Sequence, residues 1–288
     1  MKTKRKTKPT VPGRKMLTLS LLLALCSAGW ADDWPTHLHD GQRSGHSPEH
    51  LSTPLLQSWA ITPDRAPRPA WTEFPAQQDL WQNFYENKPR LTQDNAFGVV
   101  IADKRLYYGS SSSDKIVCRD VENGAVLWTF ITGGPIRFTP TVYQGRVYVG
   151  SDDGYVYCLD GSKGKAVWTY RPDFASPKMM IHNRLCSVCP VRTSVLVDQG
   201  VAYWGAGMFS GEQTGLQRYV IACQADTGQA LWQHSPPKPL QGHPLASEQY
   251  LFMPAGKSTP VFFSRKDGSF QGDFNTSNTR HGGSYVVL

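Results

Sequence analysis

Acidic residues are absent from the first 31 positions of the chain, which contain seven Lys and Arg residues. From Asp32 onwards, the remaining 23 Lys and Arg residues are balanced by 23 Asp and Glu residues. The formal net charge of +7 therefore comes from the N-terminal stretch and not from a folded surface. Nucleic-acid-binding domains carry an excess of positive charge in a patch or stripe, whereas the chain from Asp32 onwards is formally neutral. We therefore expect no nucleic-acid partner.

The chain also lacks an apolar run long enough to span a membrane. The stretch that follows the basic residues, Leu21–Cys26 with its flanks, falls short of the about 20 residues that a span needs. A basic stretch, a short apolar run and small residues in succession are typical of a secretory signal, with cleavage expected after Ala31 or Ala28. We therefore interpret residues 1–31 as a signal peptide and the mature chain as periplasmic or secreted, without a membrane span. An uncleaved anchor is the alternative.

An internal repeat of about 40 residues dominates the rest of the sequence. Its clearest copy, residues 139–170, alternates apolar and polar side chains in short runs. The runs are separated by three turn sequences, Gln144-Gly145, Asp153-Gly154 and Lys163-Gly164. Turns of this composition between alternating runs are typical of β-hairpins, so each copy is predicted to form antiparallel strands.

Two further copies align with this one, and a fourth keeps the turn rhythm without the tryptophan. The first three copies share a glycine in the second strand (Gly109, Gly150 and Gly205) and a tryptophan in the last strand (Trp128, Trp168 and Trp232). Four short strands with such fixed positions are typical of a propeller blade, whose sheet faces are covered by neighbouring blades. We therefore predict an all-β fold, a β-propeller of four-stranded antiparallel blades, with the three tryptophans packed between blades.

The repeat resembles the tryptophan-docking repeat of quinoprotein dehydrogenases and outer-membrane-assembly propellers. The segments Asp33–Gly45, Gly134–Asp160 and Cys189–Gly207 are similar to exported bacterial repeat proteins of the pyrroloquinoline-quinone-like (PQQ-like) type. The resemblance implies the propeller fold and makes PQQ a candidate cofactor, but propellers host many unrelated activities. The resembling dehydrogenases use adjacent cysteines and a calcium site. This sequence has no Cys-Cys dipeptide, so we expect no cofactor.

The copies define the expected domain organisation. Residues 32–97 form an N-terminal segment with an outer closing strand near Trp59, and residues 98–288 form the propeller blades. About four blades are present, and residues 280–288 correspond to the first strand of a fifth. We expect an incomplete ring, whose exposed sheet edges favour association.

Arginine recurs at one position of the repeat. Arg137 and Arg192 each lie eight residues before a turn glycine, ahead of the innermost strand, and Arg280 precedes a similar strand. Innermost strands line the central channel, so the guanidinium groups are expected near one mouth, where they suit carboxylates or phosphates. The alternative is that each arginine braces the neighbouring blade through an Asp or a carbonyl group.

Cysteine and histidine offer two further candidates. Cys186 and Cys189 form a C-x-x-C on the connection between the second and third copies, without a second such pair to complete a zinc site or a following His for haem attachment. We interpret them as a local disulfide, with free thiols and a redox pair as alternatives. The stretch that holds His37, His39, His46 and His50 is rich in turn formers, so no metal site is predicted.

The sequence thus favours an exported propeller that acts as a ligand-binding or protein-interaction scaffold, without catalytic residues. The expected partner is a protein or an anionic small molecule. The alternatives are a quinoprotein-like oxidoreductase and an envelope protein-assembly factor that pairs strands at a blade edge.

Overall fold

Four antiparallel sheets of four strands follow one another along the described part of the chain in a computed structural model. The structure describes residues 32–70, 94–173, 177–181, 184–207, 217–256 and 258–274. These residues form strands and turns without an α-helix, which confirms the predicted all-β propeller class. None of them belongs to a helix of the length and apolarity that a membrane crossing requires.

Each sheet is one blade, with its strands side by side in chain order. Blade 1 contains β1 (Val99–Ala102), β2 (Arg105–Ser110), β3 (Lys115–Asp120) and β4 (Val126–Ile131). Blade 2 contains β5 (Thr141–Tyr143), β6 (Arg146–Gly150), β7 (Val156–Asp160) and β8 (Ala166–Tyr170). A hairpin of β9 (Lys178–Ile181) and β10 (Arg184–Ser187) separates it from blade 3, which contains β11 (Leu196–Asp198), β12 (Val201–Ala206), β13 (Tyr219–Gln224) and β14 (Ala230–His234). Blade 4 contains β15 (Leu245–Ala246), β16 (Tyr250–Ala255), β17 (Ser258–Ser264) and β18 (Phe270–Asp273).

Two-residue turns join the first two strands of blades 2 and 3. Gln144 and Gly145 have φ angles of 47° and 71°, and Gln199 and Gly200 have φ angles of 49° and 77°. Positive φ at both central residues is the geometry of a type I′ turn, whose twist matches that of the flanking strands. The turn sequences therefore select the hairpins that the alternating pattern predicts.

The repeated glycine of the second strand lets successive blades approach closely. A Cβ atom at Gly109, Gly150 or Gly205 would lie within 2.8 Å of a side chain that leads into the next blade, which is Ile136, Val191 or Leu240 respectively. Real Cβ atoms do not approach other atoms so closely, since protein interiors are already packed to crystal density. The small residue is thus required by packing between blades.

The three repeat tryptophans lie at the interfaces between successive blades. Each indole Nε1–H donates to a turn carbonyl of the next blade, in the pairs Trp128–Gly161, Trp168–Ala225 and Trp232–Arg265, with N···O distances of 2.9, 2.9 and 3.1 Å. Each ring also covers the turn glycine beside that carbonyl, which is Gly164, Gly228 or Gly268. One side chain thus satisfies a buried acceptor and fills the space above a residue without a side chain.

Trp59 makes the same contact with blade 1. Its Nε1–H donates to the Val121 carbonyl oxygen at 2.8 Å, and its ring lies over Gly124. The sequence predicts an outer strand here, but residues 51–61 form no strand ladder with any described residue. The outer closing strand stays a prediction. The chain that follows is also held to blade 1, since Arg65 Nη1 donates to the Ser112 carbonyl oxygen at 3.2 Å.

Apolar side chains are buried in three clusters, one at each interface between successive blades. Val100, Ile116 and Val147 belong to the cluster between blades 1 and 2. Cys118 and Cys158 are buried in the third strands, as expected for small core residues. Because every cluster is shared by two blades, each blade depends on its neighbour for its core.

Blade 4 departs from the repeat on the sheet face that points away from blade 3. In blade 2, Tyr148, Cys158 and Trp168 are cross-strand partners in one row across the sheet. The corresponding row of blade 4 contains Phe252, Phe262 and Gly272. The ring of Phe262 lies over Gly272, in the space that a tryptophan side chain would need. This face therefore lacks both the phenol hydroxyl and the indole N–H that blade 2 directs at the turn carbonyl of Ala225.

Candidate functional site

The N-terminal segment, Asp33–Gly45, lies along the first strands of the blades. Trp34 forms an antiparallel bridge with Ile101 in β1, with N···O distances of 2.8 and 3.0 Å. The carbonyl oxygen of Pro35 accepts the N–H of Val142 in β5 at 2.7 Å. The segment thus continues from blade 1 to blade 2 by backbone hydrogen bonds.

The same segment reaches blades 3 and 4. Gly41 packs against Asp198 at the end of β11, and its carbonyl oxygen accepts the N–H of Ala246 in β15 at 3.0 Å. First strands are the innermost strands of a propeller blade. The N-terminal segment therefore occupies the centre of the arc formed by the four blades. Sequence reasoning did not foresee this, because the segment has no apolar periodicity and its contacts are distant in sequence.

Arg43 ties the N-terminal segment to blade 4. Its side chain is 1% exposed, its Nε donates to the Pro244 carbonyl oxygen at 2.9 Å, and its Nη1 donates to Thr36 Oγ1 and the His37 carbonyl oxygen, both at 2.7 Å. Burial lowers the pKa of the guanidinium to about 10, against the opposing effect of Asp40. The group is thus still charged at neutral pH, and its carbonyl and hydroxyl partners compensate the burial of that charge.

A pair of hydroxyl groups joins the N-terminal segment to blades 2 and 3. Thr36 Oγ1 lies 2.8 Å from Thr141 Oγ1 in β5, and Thr141 Oγ1 donates to the Val195 carbonyl oxygen at 2.6 Å. Both threonine side chains are buried. Because buried hydroxyl groups are costly to leave unpaired, this chain of hydrogen bonds favours one position of the segment.

Two histidines stack where the N-terminal segment meets the connection to β15. The ring centroids of His37 and His243 lie 3.7 Å apart, with an angle of 16° between the ring planes. His243 Nδ1 lies 3.1 Å from Ser194 Oγ, and the ring of Phe138 meets His243 edge-on. Burial, with Arg43 nearby, lowers the pKa of His37 to about 4, and it lowers the pKa of His243 well below its usual value. Both rings are therefore neutral at neutral pH.

The two predicted channel arginines lie at equivalent positions and are buried. Arg137 and Arg192 are 8% and 5% exposed. Arg137 Nε lies 3.6 Å from Asp94 Oδ2, and Arg192 Nη2 donates to Gln241 Oε1 at 3.1 Å. Each arginine lies nine residues before the second strand of its blade, β6 or β12. Gln241 lies at the same distance before β16 and so takes the corresponding position in blade 4. The third predicted arginine, Arg280, lies outside the described residues.

Asp152 is the acidic neighbour of both arginines. It is 1% exposed, and its backbone is held by the Pro135 carbonyl oxygen at 2.9 Å and the Ser187 N–H at 2.8 Å. Burial raises the pKa of its carboxyl group to about 6, although Arg137 and Arg192 act in the opposite direction. Within the described part of the chain, neither carboxylate oxygen has a hydrogen-bond partner. Arg137 and Arg192 thus act on the Asp152 carboxyl group through their charge and not through a hydrogen bond.

This arrangement bears on the two interpretations that the sequence left open. An anion site requires guanidinium groups that face an open mouth, whereas Arg137 and Arg192 face Asp94, Asp152 and Gln241 inside the protein. Burial and the neighbouring Arg137 lower the pKa of Arg192 to about 9. The bracing alternative needs such buried partners, and both interpretations of the arginines stay predictions.

Cys186 and Cys189 are buried free thiols in this structure. Cys186 Sγ donates to the Asp152 carbonyl oxygen at 3.3 Å, and burial raises the pKa of each thiol to about 12. Thiols with so high a pKa are protonated at neutral pH and are poor nucleophiles. The disulfide predicted between them is not formed here, and it stays a prediction.

The hairpin of β9 and β10 reaches from blade 2 back to blade 1. Arg184 Nη1 donates to the Ser111 carbonyl oxygen, and Nη2 donates to Asp114 Oδ1, both at 2.6 Å. Met180 and Leu185 are cross-strand partners on the hairpin and are 69% and 51% exposed. The hairpin is therefore anchored to blade 1 and exposes an apolar pair of side chains to solvent. The two short runs at 178–181 and 184–187, which only two residues separate, are the sequence signal that could have revealed the hairpin.

The four N-terminal histidines have separate environments. His37 stacks on His243, whereas His39 Nε2 lies 3.1 Å from Asp32 Oδ2. His46 and His50 are exposed. Across the described ranges, no three His, Cys, Asp or Glu side chains converge as a metal-binding group.

Comparisons with known proteins agree with this architecture. The family described as "Outer membrane protein assembly factor BamB" matches residues 75–199. The quinohemoprotein alcohol dehydrogenase ADH IIB of Pseudomonas putida is 29% identical over 110 residues, which cover 38% of this chain and 14% of that protein. The outer membrane protein assembly factor BamB of Shewanella oneidensis is 26% identical over 148 residues, which cover 51% of this chain and 32% of that protein. The chain thus spans less than a third of the length of these relatives.

A solved structure shows the same fold. The quinohemoprotein alcohol dehydrogenase from Comamonas testosteroni aligns with a TM-score of 0.57 and 16% identity, over 84% of this chain and 41% of that protein. The chain is a β-propeller protein built from PQQ-like repeats. It resembles both the quinoprotein dehydrogenases and the outer-membrane-assembly propellers, as its repeat predicts. Because relatives with such different roles share the repeat, the fold alone does not determine the activity.

Proposed function

We propose that the chain is an exported interaction scaffold that binds a protein partner and has no catalysis of its own. The observation that carries this proposal is the position of the N-terminal segment, Asp33–Gly45, on the innermost strands of the blades. A propeller that binds a small molecule centrally needs that space. Here the chain's own backbone and the buried Arg43 take it, which leaves the outer surfaces and loops for binding.

The arginine pair supports the same proposal. Arg137 and Arg192 face Asp94, Asp152 and Gln241, so their charges are compensated inside the protein. We therefore favour a protein partner over an anionic small molecule.

The hairpin is the surface that we propose for this partner. Met180 and Leu185 form an exposed apolar pair, and Arg184 fixes the hairpin to blade 1 through two hydrogen bonds. Methionine adapts its shape to different partners and is common at protein-binding surfaces. An anchored hairpin also loses little conformational entropy on binding.

Two other functions remain as alternatives. An envelope protein-assembly role is a narrower form of the scaffold, and the family match over residues 75–199 favours it. A quinoprotein-like oxidoreductase is suggested by the dehydrogenase relatives, of which this chain covers 14% in the Pseudomonas putida protein. An oxidoreductase would require a quinone or haem, whose visible or near-ultraviolet absorbance distinguishes it from a scaffold.

The proposal is tested by site-specific photo-crosslinking in cells that export the protein. A photoreactive residue at Met180 is expected to give a discrete adduct with a partner, and one at Lys163, in an exposed turn of blade 2, is expected to give none. Leu185→Asp in the Met180 crosslinking variant should remove the adduct. If Met180 gives no adduct and the purified protein carries a quinone or haem and oxidises an alcohol, the oxidoreductase alternative replaces the scaffold.

A further inference from the structure

The stacked pair of His37 and His243 connects the N-terminal segment to the chain that enters blade 4. His37 belongs to the segment, and His243 belongs to the connection that leads into β15. Their ring centroids are 3.7 Å apart and the ring planes are nearly parallel. The contact thus lies between the segment and the blades.

The groups that face this pair come from several elements. Arg43 of the N-terminal segment is the charged neighbour of both rings, and Asp40 acts on Arg43 in turn. Ser194, ahead of β11, places its hydroxyl 3.1 Å from His243 Nδ1. Phe138, ahead of β5, covers the edge of the His243 ring.

Protonation of either ring is unfavourable in this position. It would place a positive charge at a buried position for His243, or a half-buried one for His37, against a second imidazole and near the guanidinium of Arg43, which keeps its own charge. A histidine in a segment released to solvent pays none of these costs and binds its proton at the ordinary pKa of about 6.5. Proton uptake is therefore coupled to release of the segment.

We infer that His37 and His243 form an acid-sensitive latch, in which proton uptake releases the N-terminal segment, Asp33–Gly45, from the innermost strands while the blades stay folded. The segment is held to the blades through the latch, Arg43, the hydroxyl pair of Thr36 and Thr141, and a few backbone hydrogen bonds. The blades are held to one another by tryptophan contacts and apolar clusters. Release would expose the first strands at the centre of the arc.

The direction follows from proton linkage. The pKa of His37 in the docked state, about 4, lies below its value in the released state, so the docked state binds fewer protons between these two values. Docking therefore has its full stability above pH about 6.5 and weakens as the pH falls towards 4. The ratio of released to docked protein rises about tenfold for each pH unit and each proton taken up.

Amide hydrogen exchange tests the latch on the intact protein. The N–H groups of Ile101, Val142 and Ala246 donate to carbonyl oxygens of the N-terminal segment, so their protection reports on docking. Amides of β7 and β13 report on the blades. Protection factors corrected for intrinsic exchange are expected to fall at the three reporter amides between pH 7 and 4.5, while those of β7 and β13 stay constant.

Matched variants separate the latch from a general effect of acid. His37→Phe keeps an aromatic ring but cannot titrate, so it should reduce the pH dependence at the reporter amides, and His37→Phe combined with His243→Phe should remove it. His46→Phe, at an exposed position, should behave like the wild type. The latch is overturned if wild-type protection at the reporter amides does not change with pH, or falls together with that of β7 and β13. It is also overturned if His37→Phe leaves the pH dependence unchanged.

Discussion

Trp168 in blade 2 donates its indole N–H to the carbonyl oxygen of Ala225 in blade 3 at 2.9 Å, and its ring lies over Gly228 of the same turn. The hydroxyl of Tyr148 donates to the same carbonyl oxygen at 2.9 Å. This one carbonyl oxygen of blade 3 thus accepts hydrogen bonds from two side chains of blade 2. Since such contacts connect only neighbouring blades, their contribution to the stability of the arc is a sum of local interfaces.

Removal of this tryptophan should weaken the interface between blades 2 and 3. We expect Trp168→Ala to lower the free energy of unfolding by about 3 kcal/mol, because a large aromatic contact and a hydrogen bond to a buried carbonyl are lost. Trp168→Phe keeps most of the ring contact and should cost about 1 kcal/mol. Urea titrations of both variants check this, with Lys163→Ala as an exposed control expected to cost under about 0.5 kcal/mol. Equal midpoints for Trp168→Ala and Lys163→Ala would contradict the packing role.

The buried arginines should act as a brace. We expect Arg137→Gln combined with Arg192→Gln to lower the melting temperature without any added anion, because Asp94 and Asp152 lose their compensating charges at a cost of about 1–3 kcal/mol each. Millimolar phosphate or a dicarboxylate should leave the melting temperature of the wild type unchanged. Differential scanning fluorimetry measures both effects, with the exposed Lys266→Gln as the control. An unchanged melting temperature in the double variant, with phosphate stabilising only the wild type, would favour the anion site instead.

The sequence and the structure agree most closely in the blades. The turn pair Gln144-Gly145 and the spacing from Trp128 to Trp168 are local signals, and they predicted the hairpins and the repeat. These features depend on residues that are close in sequence or at a fixed period, so one sequence is enough to recognise them.

The centre of the arc could not be predicted in the same way. Arg43 contacts Pro244, and His37 stacks on His243, across some 200 residues of chain. The segment that carries Arg43 has turn-forming residues and no periodic pattern, so nothing local indicates that it is buried. The same holds for the charge of Asp152, whose neighbours Arg137 and Arg192 come from two different connections.

The first 31 residues should be removed on export. Because the basic stretch and the apolar run form one targeting unit, we expect the exported protein to begin near Asp32. N-terminal sequencing of protein recovered from the periplasm or the medium checks this. Replacing the basic residues by Gln should leave the protein in the cytoplasm, whereas Lys163→Gln should not. Protein that still begins at Met1 and stays in the cytoplasm would show that the segment is no signal peptide.

Asp152 should give the protein an unusual response to mild acid. Its carboxyl group has a pKa of about 6 in the folded protein and an ordinary value of 3.8, so the folded state binds more protons than the unfolded state between these pH values. The contribution of Asp152 to stability therefore rises as the pH falls from 7 towards 4, with the sign opposite to that of the two histidines.

The effect is isolated by comparing the wild type with Asp152→Asn, because contributions common to both proteins cancel. The free energy of unfolding of the wild type, relative to the variant, is expected to increase by about 2 kcal/mol between pH 7 and 4.5, at about 1.4 kcal/mol for each pH unit in which only the folded state is protonated. Urea titrations at half-unit steps of pH measure it. Asp160→Asn is the matched control, since hydrogen bonds from Ser162 lower the pKa of that turn carboxyl group and its contribution is lost in acid. A wild-type advantage over Asp152→Asn that stays constant or shrinks on acidification would mean that Asp152 is an ordinary ionised partner of Arg137 and Arg192.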